Sequence, residues 1–264
     1  MQEYELTLRL GFFLGMLIVM MCWERGRPKR KLMTNKNARW RCNLSLVVMN
    51  SLAIKLLTPF TAASVALYAE QHHIGLLHSI SLPLILSIAL SVTLLDALIY
   101  GQHVAFHHIP FFWRLHKIHH MDRDIDVTTG VRFHPVEIIL SALLKCGFIL
   151  LLGVPFAAVV IFEIALNATA MFNHSNIRLP IWLDKWLRLI LVTPDMHRVH
   201  HSTIEAETNS NFGFNLPWWD RTFGTYQAQP SEGHDGMTIG LIEHQQSATN
   251  NLGRLITEPL RRQP

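Results

Sequence analysis

Four long apolar runs order the chain. Leu6 to Trp23, "LTLRLGFFLGMLIVMMCW", is long enough to cross a bilayer. It has neither a basic start nor a small-residue cleavage site, so it reads as a retained span rather than a leader. The second run, Leu44 to Tyr68, carries Lys55 and Pro59, which predicts that its centre faces other helices or bends. The third, Ile74 to Tyr100, is interrupted by Pro83 and carries Asp96 near its end. The fourth, Val136 to Phe172, is too long for one span and short for two, and "GVP" at Gly153–Pro155 is a turn signal at its middle. It predicts a helical hairpin of two short spans that cross, or dip and return. Polar blocks fill Gly101 to Pro135 and Asn173 to Pro264. The expected architecture is an all-α integral membrane protein of about four transmembrane helices with a histidine-rich helical cap. Its expected divisions are an N-terminal membrane region (1–95), a catalytic region (96–230) containing hairpin 136–172, and a C-terminal tail (231–264).

Composition agrees with that pattern: of 264 residues, 50% are hydrophobic and only 16% charged. Charge then orients the spans. Eight Lys and Arg lie between Arg25 and Arg41 against a single acid, Glu24. Between two apolar runs, this reads as a cytoplasmic loop (24–42), not as a nucleic-acid-binding arm. Crossing out and back brings Gly101 to the cytoplasmic side, and the hairpin returns Asn173 to the same side. The short loop near Glu70 to His73, assigned to the opposite side, has no Lys or Arg. Three cysteines, far apart and without a CxxC, predict neither a disulfide framework nor a zinc knuckle.

The compositional anomaly is sixteen histidines. His103 and His107 are spaced i, i+4, one helical turn apart on one face. His116, His119 and His120 form HxxHH, in which His116 shares a face with either His119 or His120 while the remaining ring is turned toward a second ion. His197, His200 and His201 repeat the arrangement, and His174 sits where the hairpin returns to the surface. Two facing HxxHH copies are thereby able to bridge a pair of metals. Neither copy holds the glutamate of an HExxH hydrolase site. Imidazole suits iron, zinc and copper, so spacing alone leaves the metal open. Iron is the choice that suits dioxygen activation beside a lipid. His72, His73, His78, His234 and His244 read as ordinary surface or core histidines, and His108 has no assigned role. Asp96, His134, Asp195 and Asn211 are the candidates for holding a ligand ring's free N–H or ordering the loop over the metals. Arg132 and Arg221 are candidates for orienting an anionic headgroup or, equally, for pairing with nearby acids. A membrane metal transporter or sensor is the rival class. It predicts metal-binding residues within the spans, whereas these boxes sit beside them.

The boxes HVAFH (103–107), HKIHH (116–120) and HRVHH (197–201) resemble the signature of the fatty acid hydroxylase / sterol desaturase superfamily. So, in order, do "LLDALIYGQH", "DVTTGVRFHPVE", "FNHSN", "TPDMHRVHHS" and "NSNFGFNLPWWDRTFGTY", from about Asp96 to Tyr226. The wording "TTGVRFHPVE" is similar to the bacterial sterol-desaturase-like and alkylglycerol-monooxygenase-like branches. The resemblance implies a histidine-ligated di-iron centre held by His103, His107, His116, His119, His120, His174, His197, His200 and His201. It also implies dioxygen as co-substrate and a lipid substrate, with electrons from an external donor such as a ferredoxin or a cytochrome b5-like system. Reaction at the cytoplasmic face of a bacterial inner membrane follows from the same likeness. Two positions depart from the pattern. Ala170 stands where some relatives offer a further histidine, and Val104 stands where an arginine often follows the first histidine.

Overall fold

The structure, a computed structural model, describes residues 4–246 and 249–261. Seven helices form its frame: α1 (Glu5–Gly26), α2 (Lys36–Leu57), α3 (Ala62–Gln71), α4 (Leu84–His108), α5 (Pro110–His120), α6 (Pro135–Leu152) and α7 (Phe156–Asn173). Two shorter helices, α8 (Ile181–Leu187) and α9 (Pro194–His200), lie in the cap. Among the described residues there is no β-strand, only the isolated bridges Pro28–Ile177 and Ser202–Ile239.

The punctuation in the sequence sets the breaks. The apolar segment around Pro59 divides into α2 and α3, with Thr61 and Ser64 forming a reciprocal cap at the start of α3. α4 begins directly after Pro83 and runs unbroken through His103 and His107, so the third span carries the first box on its own extension. Ile109 leaves helical geometry, and Pro110 opens α5 at a position where its missing N–H costs nothing. Gly153, left-handed at φ 70°, closes α6 before Pro155 starts α7.

Among the described residues, five segments are long and apolar enough to cross a membrane: Glu5–Gly26, Lys36–Ser79, Leu84–His108, Pro135–Leu152 and Phe156–Asn173. The expectation is about four, and the two hairpin arms, each an 18-residue helix, are the shortest of these candidates. At 1.5 Å per residue such a helix reaches about 27 Å, close to the thickness of a hydrocarbon core. Polarity is distributed inside out relative to a water-soluble protein. Leu6, Leu10, Phe12, Leu14, Ile18 and Val19 face outward from α1, while Arg39, Arg132 and Arg198 are fully buried. An apolar exterior with a polar interior is what a lipid solvent selects. The apolar core packs α3, α4, α6 and α7 through Ala66, Leu95, Ile149 and Phe162.

The cap is held to the spans by charge. Arg39 at the start of α2 donates from Nε and Nη2 to both oxygens of Asp122 (2.7 and 2.9 Å) and from Nη1 to Asp126 (2.7 Å). Asp126 also accepts from Thr128 and from the indole N–H of Trp40. Asp124 accepts the backbone N–H groups of Met33 and Thr34. Glu24, at the end of α1, accepts from the N–H of Val127 (2.7 Å) and of Asn176 (2.8 Å), tying the segments after the second box and after α7 to one carboxylate. The basic loop is therefore also a clasp around "MDRDID". Arg132 is not at a lipid surface. It donates to Ile118 O, Asn43 Oδ1 and Thr249 O inside the cap. Arg221 donates to Arg188 O and covers the Tyr226 ring at 4.0 Å. Arg132, fully buried, is thus not placed as a headgroup-binding cation, whereas Arg221 is exposed. Residues beyond 231 also pack into the cap, through Lys117–Glu258 and the carbonyl of Thr249.

Candidate metal centre

The four segments carrying histidines converge at one end of the bundle. α4 brings His103 and His107. α5 brings His116, His119 and His120. His174 caps the C-terminal end of α7. α9, whose first turn is capped by Thr193, brings His197 and His200, with His201 following. Nine rings result, eight of them buried and His107 nearly so.

They sort into two groups. His103, His107, His116, His120 and His200 form one. His119, His174, His197 and His201 form the other. Within each group the candidate ligand nitrogens lie within 4.8 Å of one another. Each HxxHH box is divided between the groups. In the box on α5, His116 and His120 share one group and His119 belongs to the other. In the box on α9, His197 and His201 share the second group and His200 belongs to the first. The i, i+4 pair stays together on one helix face, and the i+3 ring is turned away.

Outer hydrogen bonds decide which nitrogen of each ring points inward. Nδ1 of His103 donates to Phe212 O, that of His200 to Ser210 O and that of His174 to Ala170 O, each at 2.7 Å. Nδ1 of His116 donates to Glu137 Oε1 at 2.7 Å, and Nδ1 of His107 faces Asn209 Oδ1 at 3.3 Å. A carbonyl can only accept, so these rings carry their proton on Nδ1 and turn the Nε2 lone pair inward. Nε2 of His103 then faces Nε2 of His116 at 3.2 Å, lone pair to lone pair. Nε2 of His174 lies 3.0 Å from Nε2 of both His119 and His197 and can accept from only one of them. Nε2 of His107 and His200, and both nitrogens of His120 and His201, are buried without a partner. Converging, unpartnered lone pairs in two compact groups are what a pair of cations needs. The residues fit two metal ions, one per group.

Burial, and then the crowding of neighbouring rings, pushes His119, His120, His197 and His201 well below the ordinary imidazole range. Burial lowers His174 to about 4 and His200 to about 3. Neutral imidazole is the metal-binding form. The sign of the linked stability follows. Below the ordinary value of 6.5 the unfolded chain takes up protons that the folded rings refuse, so the metal-free protein loses stability as pH falls from 6.5 toward 4. Buried carboxyls such as Asp220, raised to about 6, oppose this between their ordinary value and 6, but the lowered rings are more numerous. Thermal unfolding of metal-free protein in detergent is expected to give a lower Tm at pH 5 than at pH 7.5. An unchanged Tm would show that the rings are not buried neutral.

The loop over the metals is ordered by Asn211 and Asp220. Asn211, left-handed at φ 49°, donates to Met196 O and Gln227 O and accepts from Gln227 N. Asp220 accepts the N–H groups of Phe212 and Gly213. Together they fix the carbonyls that hold His103 and His200. Gly130, in "TTGVRF", is required by close approach: a Cβ there would meet Ala170 O at 2.5 Å and His174 Nδ1 at 3.2 Å. Ala170, where some relatives carry a histidine, contributes its carbonyl to His174 instead.

Three expected ring partners stand elsewhere. Asp96 accepts from Trp219 Nε1 (2.8 Å) and Leu216 N (3.2 Å) and touches no imidazole, because its turn of α4 faces the Trp218–Phe223 helix. His134 caps α6 by accepting from Val136 N, with Nε2 donating to Ile256 O, which leaves it outside both groups. Asp195 pairs with Arg198 and Lys29 and fixes α9 to the basic loop rather than holding a ring of the last box. The missed ring partners are Glu137, Asn209 and three backbone carbonyls. Glu137→Gln is expected to lower metal affinity by about 10- to 100-fold, since it removes the charge that sets the orientation and basicity of His116. Competitive chelation of the loaded protein reads this directly, and an affinity equal to wild type would remove Glu137 from the centre.

A model of the fatty acid hydroxylase family matches residues 88–225. Among curated proteins, the chain is 28% identical over 172 residues to ornithine lipid hydroxylase OlsE of Rhizobium tropici, covering 65% of this chain and 51% of that one. It is 28% identical over 153 residues to alkylglycerol monooxygenase of Caenorhabditis elegans (57% of this chain, 28% of that one). It is 26% identical over 146 residues to the human alkylglycerol monooxygenase (53% and 30%). The chain thus spans about half the length of the rhizobial relative and under a third of the alkylglycerol monooxygenases. No solved structure matches. Of the two branches that the wording of "TTGVRFHPVE" resembles, bacterial sterol-desaturase-like and alkylglycerol-monooxygenase-like, the second is represented among these relatives. Because the family match takes in more than half of the chain and all nine clustered rings, this protein belongs to the fatty acid hydroxylase family.

Proposed function

We propose that this protein is an oxygen-dependent, di-iron lipid hydroxylase working at the cytoplasmic face of a bacterial inner membrane. The observation that carries the reading is the division of nine histidines into two groups of inward-facing nitrogens at one end of a set of apolar helices. Iron bound there would supply dioxygen activation and the oxidising power to break a lipid C–H bond. Overall, one oxygen atom enters the lipid, the other leaves as water, an external donor provides a pair of electrons, and two protons come from solvent. Desaturation would use the same oxidant and electrons to remove a second hydrogen. The activities of the relatives favour hydroxylation.

The chain's own part is positioning. His103, His107, His116, His120 and His200 would hold one ion, and His119, His174, His197 and His201 the other. Glu137 and the carbonyls of Phe212, Ser210 and Ala170 keep the Nδ1 protons in place so that Nε2 remains free to bind. Phe133, stacked on His119 at 4.7 Å, and Phe212 and Phe214, packed around His103, keep water from the rings. Residues 1–95 would anchor the enzyme, 96–230 would carry the chemistry, and 231–264 would close the cap. Transport of metal ions fits less well, because both groups lie at one end of the spans and are enclosed by fixed hydrogen bonds.

The test is expression in a heterologous bacterium with lipid analysis under heavy-isotope dioxygen. Labelled hydroxyl groups in a membrane lipid, dependent on the protein, are the expected result. Lipid profiles identical with and without the protein would reject the reading.

A further inference from the structure

A cavity of about 630 Å³ lies among α1, α2, α4, α6 and α7 and reaches the rings of His103 and His116. Leu10 and Phe13 of α1 and other apolar side chains make most of its wall. Three polar atoms of wall residues have no partner: Gln102 Oε1, next to His103 in sequence, and one atom each of Asn50 and Glu137. Asn50, 8% exposed, donates from Nδ2 to Phe133 O at 3.0 Å. Since a carbonyl cannot donate, the amide orientation is fixed, and Asn50 Oδ1 is a buried acceptor left unbonded. Glu137 accepts from His116 through Oε1, and its Oε2 is likewise buried and unbonded. Three further polar wall residues direct their donors elsewhere, Arg9 to Glu5 and Glu163, Ser51 to Val47 O, and Asn167 to Glu163 O, while Gln102 and Ser141 also line the cavity.

The free acceptors of Asn50 and Glu137 stand beside the metal groups. Asn50 holds the residue whose ring stacks on His119 at 4.7 Å and lies 6.2 Å from that of His116, and Glu137 holds His116 itself. Buried acceptors are rarely left unmatched, and an apolar cavity with few convergent polar groups is the usual form of a ligand site. We propose that the cavity takes a lipid whose polar part carries a hydrogen-bond donor, a hydroxyl or an amide N–H, and that this group donates to Asn50 Oδ1. Asn50 is then a specificity-determining residue. It places beside His103 and His116 a carbon close to the polar group and leaves the far end of the hydrocarbon chain among Leu10 and Phe13. The inference rests on the lipid-hydroxylase reading above.

The test compares matched probes that differ only in a donor, titrated into full-length protein in detergent. N-methylhexadecanamide is set against N,N-dimethylhexadecanamide, and 1-O-hexadecylglycerol against its di-O-methyl ether. The donor-bearing member of at least one pair is expected to bind about tenfold more tightly, the effect of one hydrogen bond to a buried acceptor. Which pair shows it separates amide from hydroxyl recognition. Asn50→Leu is expected to abolish the preference. Equal affinities within both pairs in the wild type, no binding of any probe, or a preference that survives Asn50→Leu would each overturn the proposal. The wild-type comparison decides the matter even if the variant does not fold. Binding is read without turnover, so labelled lipid without a donor preference refutes this inference alone. A donor preference without labelled lipid refutes the hydroxylase reading alone.

Discussion

Alanine at His119 or at His200 is expected to abolish oxygen-dependent lipid hydroxylation, whereas alanine at His72 is expected to leave it at the wild-type level. His119 and His200 belong to different groups and sit on different helices, α5 and α9. Both are fully buried. His119 is one of four rings in its group, and its Nε2 meets that of His174 at 3.0 Å. Removing it leaves three nitrogens where the inward geometry provides four. His200 is fixed by Ser210 O and turned between His103, at 4.6 Å ring to ring, and His120, at 4.7 Å. His72 is an exposed residue at the C-terminal end of α3, bonded only to its own turn through Tyr68 O. Metal content of the folded variants distinguishes lost ligation from lost folding. Each of the first two is expected to keep the ion of the intact group and lose the other. Equal activity in all three variants would return the boxes to the status of ordinary buried histidines.

The second large effect is on stability. Arg39→Ala is expected to destabilise the protein by about 3–5 kcal/mol, the range for breaking a buried ion pair from one side. Arg39 is fully buried and is the cation paired with both Asp122 and Asp126, so its removal takes the ion-pair partner from two carboxylates and leaves the buried Arg132 as the remaining nearby cation. Asp122 also accepts from Thr129, and Asp126 from Thr128, so the loss would spread through the segment between the second box and α6. Arg41, two residues on, is exposed, and Arg41→Ala is expected to change stability by less than about 0.5 kcal/mol. Unfolding in detergent by circular dichroism reads both. Similar midpoints for the two variants would show that the clasp does not hold the cap.

How far the sequence revealed this arrangement depends on what each contact is made of. The boxes were legible because imidazole is a rare, chemically distinct side chain, and its i, i+3 and i+4 spacings map onto helix faces. The sequence left open whether His119 or His120 shares the face of His116. That choice depends on how α5 is rotated against α9, which is a matter of packing rather than spacing. The helix breaks at Pro59, Pro83, Pro110 and Gly153 were legible for a local reason, since each alters the backbone where it stands. The partners of the rings were not. Three are backbone carbonyls, which every residue possesses and no composition marks. Glu137 did leave a trace, as an acid in the first turn of a helix otherwise apolar for most of its length. A first-turn acid is equally the ordinary complement to a helix dipole. Asp96 and Asp195 were attractive by proximity along the chain, yet the fold turns the first toward Trp219 and the second toward Lys29 and Arg198. The basic loop shows the same limit. Its charge count predicted a membrane side, but only the folded chain shows that Arg39 is withdrawn into the interior while Arg25, Arg27 and Arg41 remain exposed.

The central claim is that the two histidine groups hold two irons. Detergent-purified full-length protein, loaded anaerobically with ferrous iron and freed of excess, is to be assayed for iron per chain by elemental analysis. The account predicts two ions per chain, one for each group, and fewer than one would contradict it.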